Sequence, residues 1–136
     1  EAALHRLSDE LGLGHAVTFS GALSHEQVLA QMQSSHAFVL ASRVETFGVV
    51  FIEALSQGLP VVATRCGGPE SIITPANGLL VPTDDIAALA AALLELYENH
   101  ERYNSAHLRK QCLDEFGEHS IITQLTEQYR IAAAHS

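Results

Sequence analysis

Three features of the sequence predict an α/β chain, a parallel sheet with helices wound on both of its faces. Short β-branched runs alternate with stretches whose apolar residues recur at helical spacing. The connections between them are short. The runs at 36–41 and 60–64 are apolar almost throughout, as strands covered on both faces are.

The elements follow in order. Leu4, Leu7 and Leu11 place a helix over 2–11, stopped by Gly12. Residues 16–20 (AVTFS) read as a short strand closed by Gly21. Ser24-His25-Glu26-Gln27 has the form of a capping box and opens a helix over Val28, Leu29 and Met32. His36 to Ala41 (HAFVLA) is the next strand. A polar loop, Ser42 to Thr46, leads through Phe47-Gly48 into a helix over 48–58. The strand 60–64 (PVVAT) follows, and then the turn Cys66-Gly67-Gly68-Pro69. Asn77-Gly78 turns the chain into a strand at 79–81. Asp84 or Asp85 caps a long Ala/Leu helix reaching about Asn99. Helices over roughly 101–116 and 119–134 complete the order. Strand 36–41, helix 48–58 and strand 60–64 form the clearest unit, one right-handed βαβ crossover.

Composition narrows the classes. A length of 136 residues suits a single domain, and 47% hydrophobic residues are too many for a disordered chain. Seven Lys+Arg against 16 Asp+Glu leave a net charge of −9, which argues against nucleic acid and anionic lipid as partners. No apolar run approaches the roughly 18 residues of a membrane span. No basic start precedes an apolar stretch, so no signal peptide is expected. Cys66 and Cys112 suggest neither a disulfide framework nor a four-cysteine zinc site. The eight His residues lack metal-ligand spacing, and no metal is expected. The expected location is cytoplasmic, with a peripheral position at the inner membrane face open to the whole protein.

In doubly wound sheets ligands bind beyond the carboxyl ends of the strands, which directs attention to the loops after 36–41 and 60–64. The first loop carries Glu45, and Glu53 follows eight residues later inside the helix. Backbone N–H groups from about Phe47 to Val50 would offer an anion site at the start of that helix. Gly48 would let a bulky ligand approach the main chain. Carboxylates at neutral pH only accept hydrogen bonds, which suits them to pairs of hydroxyls. Two of them around an anion-binding helix start fit a ligand with hydroxyls at both ends and phosphate between, such as a nucleotide sugar. The loop Arg65-Cys66-Gly67-Gly68 could add amides near the same crevice, or Gly67 and Gly68 could serve only a tight turn. Arg43 reads as solvated, Phe47 as a packing residue and His36 as structural.

The same residues resemble a known family. Ser42-Arg43-Val44-Glu45-Thr46-Phe47-Gly48-Val49-Val50-Phe51-Ile52-Glu53-Ala54-Leu55 is similar to the signature of glycosyltransferase family 4, also called glycosyl transferases group 1. Gly58-Leu59-Pro60-Val61-Val62-Ala63-Thr64 with Gly67-Gly68 continues it, and Asn77-Gly78-Leu79-Leu80-Val81-Pro82 resembles the next block. The resemblance implies a GT-B enzyme with two Rossmann-like domains, of which this chain would be most of the C-terminal, donor-binding one. It implies that Glu45 lies at the donor sugar as the catalytic carboxylate, with Thr46, Phe47, Gly48 and Val49 around sugar and diphosphate. It implies that Glu53 holds the ribose, with Arg65, Gly67 and Gly68 as further candidates. Transfer with retention, and without metal or other cofactor, is the family's usual chemistry.

Two departures stand out. The family's diphosphate-binding Arg and Lys would precede Glu1, and its Glu after the Gly-Gly loop is Ser71 here, with Glu70 one step earlier. Residues 1–136 are thus expected to form a partial Rossmann-like domain, inactive alone and partnered by an N-terminal GT-B domain. A full Rossmann-like half runs 3-2-1-4-5-6. Strand 16–20 would be its third strand, so it is expected to move over to pair with 36–41, or another chain fills the space, or the sequence is part of something longer, whose exposed strand edge and apolar faces would promote self-association. The rival readings are a GT-B epimerase or phosphorylase, the latter needing a lysine-bound pyridoxal phosphate for which only Lys110, on a late helix away from the crevice, is present, and a non-catalytic nucleotide-binding or assembly module.

Overall fold

The computed structural model describes residues 2–134. The chain runs α1 (Ala2–Glu10), α2 (His25–Gln33), β1 (Phe38–Leu40), α3 (Val49–Ser56), β2 (Val61–Thr64) and β3 (Gly78–Val81). It then closes with α4 (Ile86–Glu98), α5 (Ser105–Phe116) and α6 (Glu118–Ala134). Short 3₁₀ turns stand at Gly68–Ser71 and His100–Arg102. All three strands are parallel in the order β1-β2-β3, with Phe38 beside Val61 and Val61 beside Gly78. The expected α/β class and the βαβ unit are therefore present, and no described helix is long and apolar enough to cross a membrane.

The core is centred on β2. Successive strand side chains point to opposite faces, and Val61, Val62, Ala63 and Thr64 are all buried, so both faces of the sheet are covered. Phe51, Ala54 and Leu55 of α3 pack there, backed by Leu108 and Cys112 of α5, while Ala92 and Leu96 of α4 join the same cluster. Phe51 has no exposed surface and meets Phe38 edge to face, with ring centroids 6.0 Å apart. Gly78 has to be glycine for a steric reason. A Cβ there would lie 2.2 Å from the carbonyl oxygen of Val61, because β3 starts hard against β2.

Several boundaries follow local chemistry. The capping box at Ser24 forms in full, with Gln27 N–H bonding to Ser24 Oγ and Ser24 N–H to Gln27 Oε1. Of the two candidate caps for α4 it is Asp85 that accepts from Ala88 N–H, at 2.8 Å, while Asp84 takes a left-handed φ of 58°. The helix expected over 101–116 is split, because Asn104 caps α5 through His107 N–H after the 3₁₀ turn.

The strand expected at 16–20 does not form. Ala16 and Val17 N–H groups bond to the carbonyl of Leu13 in turns that follow α1, and Phe19 stacks on His5 at 4.0 Å. Strand propensity is realised only where a neighbouring strand accepts the ladder, and none lies beside 16–20. That segment does not move over to β1, whose only neighbour among the described residues is β2. Val39 of β1 is accordingly exposed at the sheet edge.

Candidate functional site

At the carboxyl ends of the strands two loops lock together. Glu45, in the loop after β1, forms a parallel β-bridge with Gly67, in the loop after β2. Glu45 N–H donates to the carbonyl of Cys66 (3.3 Å), and Gly68 N–H donates to the carbonyl of Glu45 (2.6 Å). Below this bridge Thr64 Oγ1 donates to the carbonyl of Ser42 at 2.5 Å, tying the end of β2 to the start of the β1 loop.

The two glycines serve this junction differently. Gly67 takes φ 114° and ψ −99°, a conformation L side chains rarely adopt. Gly68 is buried, and a Cβ there would lie 2.8 Å from the carbonyl carbon of Phe47 and 2.9 Å from the Glu45 carbonyl oxygen. Glu70 turns back on its own loop, where Oε2 accepts the N–H of Gly67 at 3.1 Å. Ser71 Oγ donates to the carbonyl of Gly68 at 2.8 Å.

The Glu45 side chain reaches the start of α3. Its Oε1 accepts the N–H of Gly48 at 3.2 Å, and Gly48 itself is the N-cap, in the left-handed region at φ 81°. A Cβ on Gly48 would sit 2.5 Å from the ring of Phe51. Phe51 N–H bonds to the Gly48 carbonyl, which leaves the Val49 and Val50 N–H groups at the open end of the helix. No acidic residue occupies the first turn of α3, so the positive end of the helix dipole faces the Glu45 loop. Thr46, Phe47 and Val49 are exposed around this opening. Phe47, expected to pack, is instead 61% exposed, because Phe51 fills the pocket beneath the helix start.

Glu53 lies one turn further along α3 and is half-buried, with His25 Nδ1 3.8 Å from its Oε1. Arg43 is exposed as expected but not unpaired, since its Nε donates to Asp84 Oδ1 at 2.9 Å. This exposed pair sits on a cavity of about 300 Å³ lined also by Ser42, Thr64, Asp85 and Ile86. Arg65 lines a separate cavity of about 210 Å³ beside Ile73, Thr74 and Leu79. The structure therefore brings Gly48, Gly67 and Gly68 each against Glu45, with Thr46, Phe47 and Val49 exposed around the start of α3 and Glu53 one turn further along that helix. Lys110 lies on α5, paired with Asp114. Among the described residues no group of three or more His, Cys, Asp or Glu is placed to hold a metal ion.

Sequence reading missed three participants: His25, Thr64 and Asp84. Their partners Glu53, Ser42 and Asp84's Arg43 lie far away along the chain, so no local spacing marks them. Only the position of Thr64, at the carboxyl end of a strand, carried a usable signal.

The chain is similar to known proteins in both sequence and fold. The sequence model of a family described as "Glycosyl transferases group 1" matches residues 1–111. A D-inositol 3-phosphate glycosyltransferase of Corynebacterium urealyticum is 34% identical over 129 residues, covering 93% of this chain and 30% of that protein. The sucrose-phosphate synthase structure from Thermosynechococcus elongatus superposes with a TM-score of 0.80 at 32% identity, covering 99% of this chain and 35% of the other. Anabaena HepE, solved in complex with UDP and glucose, gives a TM-score of 0.80 at 25% identity, with 95% and 36% covered. The chain thus spans about a third of the length of these relatives.

Proposed function

The chain belongs to the glycosyl transferases group 1 family, and from that premise we propose that it is the donor-binding domain of a glycosyltransferase that uses a nucleotide-diphosphate sugar. The observation that carries the reading is the contact between the Glu45 carboxylate and the Gly48 N–H at the open start of α3. One side chain thereby places an acceptor of hydroxyl hydrogen bonds beside backbone donors suited to a diphosphate.

The roles follow from that layout. Glu45 is the carboxylate at the donor sugar, Val49 and Val50 present their open N–H groups to the diphosphate, and Gly48, whose N–H is held by Glu45, lets the ligand approach the main chain. Thr46 and Phe47 line the sugar side, and the Gly67–Gly68 turn holds the Glu45 loop at its height. Glu53 accepts the ribose hydroxyls. Arg65 is the candidate for a further phosphate contact. In a chain of net charge −9, backbone donors and the helix dipole take the part that cations would otherwise play. Transfer then proceeds with retention and without a metal, through positioning and charge stabilisation of an oxocarbenium-like transition state. The acceptor binds to a second domain of the whole enzyme. That HepE was solved with UDP and glucose supports a nucleotide sugar as ligand.

Calorimetric titration of the chain with UDP, GDP and ADP tests the reading. One of them should bind, and Glu53→Ala should weaken that binding at least tenfold, as expected for losing hydrogen bonds to a charged group, about 1.5–3 kcal/mol. Absence of binding by all three would overturn the proposal in favour of an assembly module. In the whole enzyme, Glu45→Gln should remove most transfer while leaving nucleotide affinity nearly unchanged.

A further inference from the structure

The Glu53 carboxylate, half-buried on α3, meets the start of α2. His25 Nδ1 lies 3.8 Å from Glu53 Oε1, within ion-pair range and beyond hydrogen-bond distance. His25 is the first residue of α2, and Glu53 stands in the second turn of α3. The helices are joined again further along, where Gln33 Nε2 donates to Gln57 Oε1 at 3.1 Å. The two pairs occur in the same order along both helices, so α2 and α3 run in the same direction. The start of α2 therefore lies at the same end as the open first turn of α3. The capping box holds the backbone of this start in place through two hydrogen bonds between Ser24 and Gln27. The His25 side chain keeps 67% of its surface and Glu53 29%, so the pair meets solvent on its open side.

We propose that His25 is a positioning residue for Glu53, turning its carboxylate so that the oxygens face the ribose diol of a bound nucleoside diphosphate. The inference rests on the reading of Glu53 as the ribose-binding group. A glutamate on a helix surface samples several rotamers, and ordering it on binding costs affinity. An imidazole standing beside one oxygen, on a helix start whose backbone the capping box orders, favours one carboxylate rotamer before the ligand arrives.

The test is calorimetric, on the 136-residue chain, with the tightest of UDP, GDP and ADP and with its 2′-deoxy form. His25→Ala should weaken the ribonucleotide about two- to tenfold, the range set by ordering one rotamer-rich side chain. The preference for ribose over 2′-deoxyribose should shrink by a similar factor. His25→Asn, which keeps an N–H near the position of Nδ1, should restore most of both. In a Glu53→Gln background His25→Ala should add nothing further. An unchanged ribose-to-deoxyribose ratio in His25→Ala, whether or not both ligands weaken, overturns the proposal. If wild type binds and Glu53→Gln has no effect, it is the ribose role of Glu53 that fails, and the role of His25 fails with it.

Discussion

The carboxylate of Glu45 accepts the backbone N–H of Gly48 at 3.2 Å, so the acidic group proposed at the donor sugar also caps the helix that would bind the diphosphate. One residue thus joins the shape of the site to its stability. Substitutions there separate the two.

Glu45→Ala should cost about 0.5–2 kcal/mol of folding stability, the range for losing an N-terminal capping acceptor. Glu45→Gln keeps an acceptor oxygen and should unfold close to wild type. Urea unfolding of both variants, set beside nucleotide binding, checks this. Equal stability for Ala and Gln would show that the cap carries no weight.

Gly48→Ala should be far worse than Gly12→Ala, although both glycines have positive φ, 81° and 69°. Nothing lies within 4 Å of a Cβ at Gly12, whereas one at Gly48 would stand 2.5 Å from the buried ring of Phe51. The backbone alone costs roughly 1–2 kcal/mol in each case. The excess at Gly48 measures the clash, and comparison of unfolding midpoints reads it directly.

Thr64→Val keeps the shape of a side chain that is 5% exposed but removes the hydroxyl that donates to Ser42. The carbonyl of Ser42 loses its donor, at a cost of about 1–2 kcal/mol. Because that bond tethers the Glu45 loop to β2, faster amide exchange at Glu45 and Gly68 should accompany the loss. Unchanged exchange there would mean that the bridge to Gly67 suffices by itself.

Burial, and then the nearby Glu115 carboxylate, push the Cys112 thiol above its ordinary range. The unfolded chain therefore ionises at this position first as pH rises. The resulting contribution to stability is fully present at neutral pH and is lost as the solution passes through the alkaline range of the folded thiol. Denaturant midpoints of wild type and Cys112→Ala, measured from pH 7 to alkaline pH, should diverge at the high end, with wild type falling faster. Alkylation should also reach Cys66 well before Cys112, which is 5% exposed.

Legibility in the sequence tracked the range of the interactions. The capping box at Ser24 depends on residues three positions apart and is legible in the sequence. The sequence narrows the cap of α4 to Asp84 or Asp85 but leaves the choice of Asp85, and the left-handed φ of Gly48 against Phe51, to the structure. The buried strand β2 is legible because a run apolar up to Thr64 fits an interior strand. Residues 16–20 carry a similar cue yet leave a turn at Ala16 in irregular backbone with a His5–Phe19 ring contact, since a strand needs a partner that the cue does not contain. Arg43 illustrates the site. Its exposure was foreseen, but its ion pair with Asp84 spans 41 positions and leaves no trace in local spacing.

The sequence by itself determined the parallel α/β order, the helix start rich in backbone donors and the two carboxylates eight residues apart. Those properties reside in local propensity, periodicity and short-range hydrogen bonds. Tertiary structure alone decided that the Glu45 loop is bridged to Gly67, that Gly68 has no room for a side chain and that His25 stands beside Glu53. Each of those depends on where the parallel sheet sets separate loops and helices side by side, a distance in space that spacing along the chain does not encode.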